Sequence, residues 1–433
     1  MRVGRAGCLR GEVVVPGDKS ISHRAALLNA VADGQGLIRN YAPGADCSSS
    51  LSCLQQLGVR VTVLPDTGNT LSISVVGSGL AGLAEPDAVL DAGNSGTTTR
   101  LLCGLLAGQD FVTFLTGDDS LRSRPMLRVV EPLRSMGATI LGRRGGDRLP
   151  LAIRGGRLHG AEINTPVASA QVKSSILLAG LLAQGPTSVT EPAASRDHTE
   201  RMLQAQGVHI ERTGLRATLH PPARLTPLDM SIPGDFSSAA YWLVLACVHP
   251  DAEIIVRQVG LNPGRIGLLE VLRKMGADIQ VTNEKLEGGE PVGDVAARSS
   301  SLVGVDVGGG IVPAMIDEVP LLAVAAAFAR GTTRIGDAAE LRVKESDRLK
   351  TTAEGLLRLG ARVTEQADGL EIEGGQALAE AEVSSYGDHR LAMSLAVAGM
   401  AGRGARVLGS GSVSVSYPGF WQQAASLGAD IGD

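Results

Sequence analysis

A chain of 433 residues can build two or three ordinary domains, and 44% hydrophobic with 20% charged residues is the balance of a globular protein. Aromatic residues make up only 3% and the net charge is −5, so a stacking platform for nucleic acid and a global pull on anions are both excluded, and any anionic ligand must meet a local basic cluster. No apolar run reaches the length of about 18 residues that a membrane span needs. Five cysteines (Cys8, Cys47, Cys53, Cys103, Cys247) lack metal-ligand spacing. The opening MRVGRAGCLRGEVVV shows neither a signal nor a transit pattern, so reduced thiols and a cytoplasmic location are expected.

Taken in chain order, the predicted elements repeat. A strand-like GEVVVPGD (11–18) leads to an apolar helix, HRAALLNAVA, and then to an amphipathic helix that stops at glycine before a strand, LQQLGVRVTV (54–63). The same pair returns as TTRLLCGLLAG with LRSMGATI (133–140), KSSILLAGLLAQG with LQAQGVHI (203–210), and SAAYWLVLACV with LRKMGADIQV (272–281). It closes with PLLAVAAAFARG and LRLGARVT (357–364), then HRLAMSLAVAGMAG and ASLGADI (425–431). Gly58, Gly137, Gly207, Gly276, Gly360 and Gly428 stand where a left-handed residue ends a helix. The first helix of each pair is apolar nearly all round and is expected to be buried. Six such units with a period of about 70 residues nearly fill the chain.

Unit three ends in a strand-like MSIPGD (230–235), whereas unit six stops at Asp433 without an equivalent. The N-terminal GEVVVPGD supplies the missing piece. The expected organisation is therefore an α/β fold of two similar domains, 21–239 and 240–433 plus 1–20. The chain crosses between them near 20 and 239, two crossings that make a natural hinge.

The segments before the apolar helices are polar and glycine-rich: PGDKSISHR, DAGNSGTTTR, ASAQVKSS, PGDFSSAA, MIDEVP and YGDHR. Free N–H groups and the positive end of the helix dipole favour phosphate and carboxylate there. Ordinary capping would account for Ser237, Ser238 and Thr98. It does not account for Lys19, Arg24, Arg100, Lys173 and Arg390, which sit at the electrostatically wrong end unless an anion compensates.

PGDKSISHRA (16–25), GNSGTTTRLL (93–102), DDSLRSRPM (118–126), SAQVKSS (169–175), LRVKESDRL (341–349) and GDHRLAM (387–393) resemble, in order, the signature segments of the 5-enolpyruvylshikimate-3-phosphate synthases. The resemblance implies two domains of three βαβαββ units each, the inverse α/β barrel of the enolpyruvyl transferases. It implies transfer of the enolpyruvyl group of phosphoenolpyruvate to the 5-hydroxyl of shikimate 3-phosphate, with release of phosphate. By the same resemblance Lys19 contacts both substrates, while Ser20, Arg24, Ser169, Gln171, Ser195, Asp317 and Lys344 belong to the shikimate 3-phosphate site. Asn94, Gly96, Arg124, Gln171, Arg348 and Arg390 belong with phosphoenolpyruvate. Asp317 faces the 5-hydroxyl, and Glu345 lies near the methylene carbon.

The chemistry itself asks for such a set. Each substrate carries a phosphate and a carboxylate, which guanidinium forks bind in bidentate fashion. A proton must reach C3 of the enol and another must leave the 5-hydroxyl, work for carboxylates and lysine with tuned pKa values. Asp317 is expected as base toward the hydroxyl, with Glu345 and Lys19 handling the C3 proton. Asp317 can also be read as the N-cap before EVPLLA. His23 and His389 are expected to hydrogen-bond and not to hold zinc. No metal or organic cofactor, no nucleic acid and no membrane are expected, and a monomer is.

Two departures from the pattern stand out. SVSVSYPGF (412–420) has Val415 or Ser416 where many family members carry lysine, and Leu101 follows Arg100 where many have proline. Gly96 is retained, so the family's inhibitor glyphosate is expected to fit. The sister enzymes that act on UDP-N-acetylglucosamine usually carry a cysteine in the loop that here reads GDDSLRSRPM, and Cys103 falls in an apolar helix instead. A non-catalytic anion-binding protein would avoid the carboxylates Asp317 and Glu345 beside its ligand.

Overall fold

Segments apolar on every side have no face to offer water, and all six become buried helices: Lys19–Ala30, Gly96–Ala107, Ala170–Gly180, Phe236–Val248, Val319–Phe328 and His389–Ala401. In Phe236–Val248 every residue except Val248 is buried. The computed structural model describes residues 1–64 and 71–432. Between the buried helices lie one-faced ones, Ala45–Gln56, Leu127–Ser135, His198–Ala205, Gly267–Lys274, Arg348–Arg358 and Phe420–Ser426. The glycine after each of them has a left-handed φ, from 83° at Gly58 to 110° at Gly137. A side chain would be strained at those positions, so glycine turns the chain there from helix into strand.

Among the described residues six four-stranded sheets follow one pattern: a short strand pairs parallel with a second, and two antiparallel strands complete the sheet. In one, Leu90–Asp91 runs parallel to Val112–Thr116, which pairs antiparallel with Arg148–Arg154, and that strand with Thr139–Arg143. Sequence order is broken in three places. Met230–Ser231 returns to pair parallel with Asp33–Tyr41, closing the first three units on themselves. Leu9–Val14 supplies the parallel strand to Ala252–Gly260. Arg2–Val3 sits between Ala405–Leu408 and Ile431–Gly432. The first fourteen residues thus complete the sheets of the fourth and sixth units.

These sheets and helices gather into two units: Met1–Pro16 with Pro233–Lys285 and Pro291–Asp433, and Gly17–Ile232 with Leu286–Glu290. The chain passes from one to the other at Pro16/Gly17 and Ile232/Pro233. A third excursion, Leu286–Glu290 at the turn between the strands Asp278–Glu287 and Glu290–Arg298, has no counterpart among the repeated segments. Each unit has its own apolar core, as independent domains do. In the Gly17–Ile232 unit two buried helices nearly touch: a Cβ on Gly104 would overlap the carbonyl oxygen of Ser175. In the other unit Trp242 is fully buried, stacks on Phe420 at 4.9 Å and donates its indole N–H to Tyr417 Oη at 2.8 Å.

The Trp242–Tyr417 hydrogen bond yields a test. Tyr417→Phe leaves a buried indole N–H without its acceptor, so the unit should lose about 1–3 kcal/mol. Urea unfolding followed by tryptophan fluorescence reads the shift.

Candidate active site

In the Gly17–Ile232 unit the polar segments mark three helix starts. Asp18 caps Lys19–Ala30, its Oδ1 accepting from the Ile21 amide at 2.9 Å. Lys19, the first residue of that helix, forms an ion pair with Asp46. Burial pushes the Asp46 carboxyl up, but the Lys19 ammonium outweighs it and holds the acid below its ordinary range. Ser95 caps the second buried helix, its Oγ accepting from the Thr98 amide at 3.1 Å. Thr98 is therefore not the cap. Its hydroxyl belongs to a buried chain, His23 Nδ1 to Ser50 at 2.7 Å, Ser50 to Thr98 at 2.7 Å, and Thr98 to Ser95 at 2.7 Å.

Gly96 opens this cluster. A Cβ there would stand 2.9 Å from Arg100 Nη1 and 3.5 Å from Arg124 Nη1, so its absence lets two guanidiniums approach the helix start. Arg100 donates to Gln171 Oε1 at 2.5 Å, and Gln171 donates to Thr97 Oγ1 at 2.8 Å. Arg124 donates to Asn94 Oδ1 at 2.7 Å and Ser120 Oγ at 3.3 Å, while the Asn94 amide donates to Asp118 Oδ2 at 2.6 Å.

The third helix start is organised by an acid that no sequence motif singled out. Glu191 accepts from the Ser169 amide at 3.0 Å and from Ser195 Oγ at 2.9 Å, and it pairs with Lys173 at 2.8 Å. Glu200 pairs with the same lysine at 2.9 Å. Burial alone would lower the Lys173 pKa, but Glu200 and Glu191 reverse this and raise it. This corrects the expectation that a lysine at this helix start needs a ligand, because the protein supplies the anions. Arg24 is likewise engaged internally, donating to Thr199 Oγ1, the Ser20 carbonyl and Ser174 Oγ, each at 2.8 Å.

The other unit gathers the remaining residues, with one exception. Arg348 is 1% exposed and donates to Asp388 Oδ2 at 2.7 Å, Glu345 Oε2 at 2.6 Å and Asp317 Oδ1 at 3.4 Å. Arg390 lies 3.8 Å from Asp317 Oδ2 and 3.6 Å from Glu318 Oε1. The guanidinium is costly to bury, but Asp317 leads the acids that hold its pKa above the ordinary value. Burial raises and Arg348 lowers the Glu345 carboxyl, and the lowering wins. Asp317 lies in the single turn Ile316–Glu318, with Glu318 at the cap position of the next helix, so the capping reading of Asp317 does not hold. Asp235, not Ser237 or Ser238, caps Phe236–Val248. The exception is Lys344, which pairs with exposed Glu340 at 2.9 Å.

Arg265, Glu318 and Asp388 complete this second cluster and went unassigned in the sequence. Arg265 is 3% exposed, donates to Ser237 Oγ at 2.6 Å and stands 3.8 Å from both Asp317 and Glu318. Ser237 in turn donates to Glu318. Asp388 had a signal: it precedes His389 and Arg390 in GDHR, the same pattern of an acid before a helix as in PGDKS and PGDFSS. Arg265 lies in NPGRIG, outside every repeated segment.

His23 and His389 are driven down by burial and then by Lys19 and Arg390, to about 3 and about 4. Both rings are neutral at neutral pH, and His23 hydrogen-bonds to Ser50. Among the described residues one trio, His209, Glu211 and His220, could converge on a metal ion, and it belongs to neither cluster. Cys103 is buried in its helix, and burial pushes the thiol up to about 12, which leaves it no nucleophilic role near neutral pH.

Buried arginines set among carboxylates at helix starts, in a chain of six repeated units, define a group-transfer enzyme for small anions of the enolpyruvyl transferase fold. A family model described as EPSP synthase (3-phosphoshikimate 1-carboxyvinyltransferase) matches residues 4–424, and the chain belongs to that family. The 3-phosphoshikimate 1-carboxyvinyltransferase of Herpetosiphon aurantiacus is 52% identical over 98% of each chain, and that of a Roseiflexus species is 54% identical over 95% of each. The EPSP synthase structure from Acinetobacter baumannii superposes with a TM-score of 0.91 at 40% identity, covering 100% of this chain and 99% of that one. The enolpyruvyl transferase NikO of Streptomyces tendae shares the fold at a TM-score of 0.81 and 18% identity, covering 100% and 98%. No helix among the described residues is long and apolar enough to cross a membrane.

The Arg348–Asp388 pair makes a stability prediction. Burial raises the Asp388 carboxyl, Arg348 overrides it, and the folded pKa lies below the ordinary value of about 3.9. Its stabilisation is therefore full above that value and fades as pH falls through the folded pKa. Asp388→Asn should cost about 3–5 kcal/mol at pH 7, by stranding a buried guanidinium, and should flatten the acid limb of stability. Urea titrations at pH 7 and pH 3 measure both.

Proposed function

We propose that the chain transfers the enolpyruvyl group of phosphoenolpyruvate to the 5-hydroxyl of shikimate 3-phosphate, through a tetrahedral intermediate that collapses with loss of phosphate. The observation that carries this is the placement of Asp317 and Glu345. Both are carboxylates within hydrogen-bond or ion-pair range of one almost fully buried guanidinium, Arg348. Acids beside buried cations offset the cost of burying them, but acids this near the ligand would weaken a protein that only bound anions. An enzyme that must move two protons needs them.

Each step assigns a group. Arg348, Arg390, Arg124, Asn94, Gln171 and the open backbone at Gly96 receive the charges of phosphoenolpyruvate. Lys19, Ser20, Arg24, Ser169, Gln171 and Ser195 hold shikimate 3-phosphate, with Lys344 as a further cation. Asp317 takes the proton of the 5-hydroxyl as its oxygen attacks C2. Glu345 and Lys19 together pass a proton to C3, with the Lys19 ammonium as its source because the Glu345 carboxyl, despite its burial, is held ionised by Arg348. In the tetrahedral adduct C2 carries both the new C–O bond and the phosphate ester. Return of the C3 proton to Glu345 and Lys19 forms the enol ether as the C2–O bond to phosphate breaks, and the proton held by Asp317 passes to the departing phosphate. Protons and electrons balance, so no redox partner is needed. The enzyme works in aromatic amino acid biosynthesis, and we assign it a cytoplasmic, monomeric form.

Acceptor choice is read from the segment GDDSLRSRPM, which contains no cysteine, and from Cys103, whose buried thiol is held neutral. Both favour shikimate 3-phosphate over UDP-N-acetylglucosamine. Val415 is 41% exposed and Ser416 partly buried, so the segment where relatives carry lysine brings no charge.

Two measurements test the assignment. In a phosphate-release assay with both substrates, Asp317→Asn and Glu345→Gln should each lower kcat by about 100-fold or more. Near-full turnover by either variant would remove that residue from the chemistry. Gly96→Ala places a methyl against the Arg100 guanidinium and should raise KM for phosphoenolpyruvate about tenfold with a smaller effect on kcat. The same assay reads it.

A further inference from the structure

Arginine also accumulates outside the two clusters. A cavity of about 340 Å³ is lined by Asp119, Arg122, Ser123, Arg143, Arg144 and Arg148. Three of the four arginines come from the tip of one hairpin, where Thr139–Arg143 turns through Arg144–Gly146 into Arg148–Arg154. Arg144 takes a left-handed φ of 52°, an uncommon conformation for a residue with a side chain. The fourth, Arg122, comes from the short helix Asp119–Ser123.

The charges do not cancel locally. Arg122 pairs with Asp119, and Arg148 with Asp147. Arg143 donates to the Leu149 carbonyl at 3.3 Å, a neutral partner. Among the described residues neither Arg143 nor Arg144 has a carboxylate in ion-pair range. Two guanidinium charges are therefore uncompensated beside two that are paired, in a chain whose net charge is −5. Like charges held together in a concave wall raise the local potential and concentrate anions. The volume sits at the lower end of small-molecule sites and exceeds what one tetrahedral anion fills. No aromatic side chain lines it, so a nucleobase has nothing to stack on.

The cavity shares its wall with a segment of the proposed reaction site. Arg124, assigned above to phosphoenolpyruvate, is the residue directly after the helix Asp119–Ser123 and donates to Ser120 Oγ within it at 3.3 Å. Asp147, the partner of Arg148, accepts from the Met126 and Leu127 amides, each at 3.3 Å. Both ends of the segment that carries Arg124 are thus tied to side chains that line or support this cavity.

We propose that the cavity is a second anion site, built for a compact polyanion of the oligophosphate type, and that its occupation shifts the segment bearing Arg124. A phosphate chain spanning Arg143 and Arg144 competes with Asp119 for Arg122 and loosens the hold of the short helix on its own acid. The coupling to phosphoenolpyruvate rests on the function proposed above, whereas the binding does not.

The experiment separates the two. Tripolyphosphate is titrated by calorimetry into the wild-type chain, into Arg143→Gln/Arg144→Gln and into Arg143→Lys/Arg144→Lys, each checked for an unchanged melting temperature. Binding should weaken at least tenfold in the glutamine variant and persist in the lysine variant, which keeps the charge. ATP should bind no more tightly than tripolyphosphate. In phosphate-free kinetics the glutamine variant should keep wild-type kcat and KM, while tripolyphosphate should change KM for phosphoenolpyruvate at least threefold in wild type only. Equal binding to wild type and glutamine variant, with displacement by phosphoenolpyruvate, would put the ligand in the reaction site and overturn the proposal. Much tighter binding of ATP would overturn the oligophosphate class. Binding lost in the variant but without any kinetic effect would overturn the coupling alone. Absence of turnover by the wild-type chain would overturn the function and leave the binding result standing.

Discussion

The constraint on which the structure depends is the burial of full charges at or near the starts of helices. Arg24, Lys173, Arg265 and Arg348 are all 5% exposed or less. An isolated ion in such surroundings would cost several kcal/mol. Each therefore sits in a web of acids and hydroxyls: Glu191 and Glu200 around Lys173, Asp388 and Glu345 around Arg348, Thr199 and Ser174 around Arg24. The webs fix the direction of each cation before any substrate arrives, so no reorganisation is left to the moment of reaction.

The same webs separate two roles that look alike in composition. Lys173, paired with Glu191 and Glu200, is nearly saturated by protein partners and acts as part of the frame. Arg124 and Lys19 are held more lightly: Arg124 leans on the neutral oxygens of Asn94 and Ser120, and Lys19 keeps 35% of its side chain exposed beside Asp46. A doubly anionic ligand can displace or add to those contacts cheaply, whereas breaking the Arg348–Asp388 pair would strand two buried ions. Gly96 serves the lightly held group by leaving out the Cβ that would hold the guanidiniums away.

The architecture carries this arrangement because each repeated unit ends a sheet at the start of the next buried helix. The strand Met230–Ser231 returns to the first unit, and the first fourteen residues fill the places left open in the fourth and sixth. Each unit of the structure is thereby closed without an open sheet at the point where the chain leaves it. Closure also places PGD twice, at 16–18 and 233–235, with the acid capping a buried helix each time.

Local physics made much of this legible in the chain itself. Apolar residues on every side of six segments, and glycine where a left-handed φ is required, determine the buried helices, their partners and the six-fold repetition without reference to any distant residue. The polar segments at the helix starts likewise mark where the chemistry lies, because free amide groups and the dipole act within a single turn. Charge pairing was decided only by the tertiary structure. Asp46, Glu191, Glu200, Arg265 and Glu318 meet their partners across tens of residues of sequence, and nothing in their own neighbourhoods distinguishes them from surface charges. The lysine at position 173 shows the difference: its sequence position calls for an outside anion, and the fold answers with two acids of its own, since only three-dimensional proximity sets the Coulomb energy between buried groups.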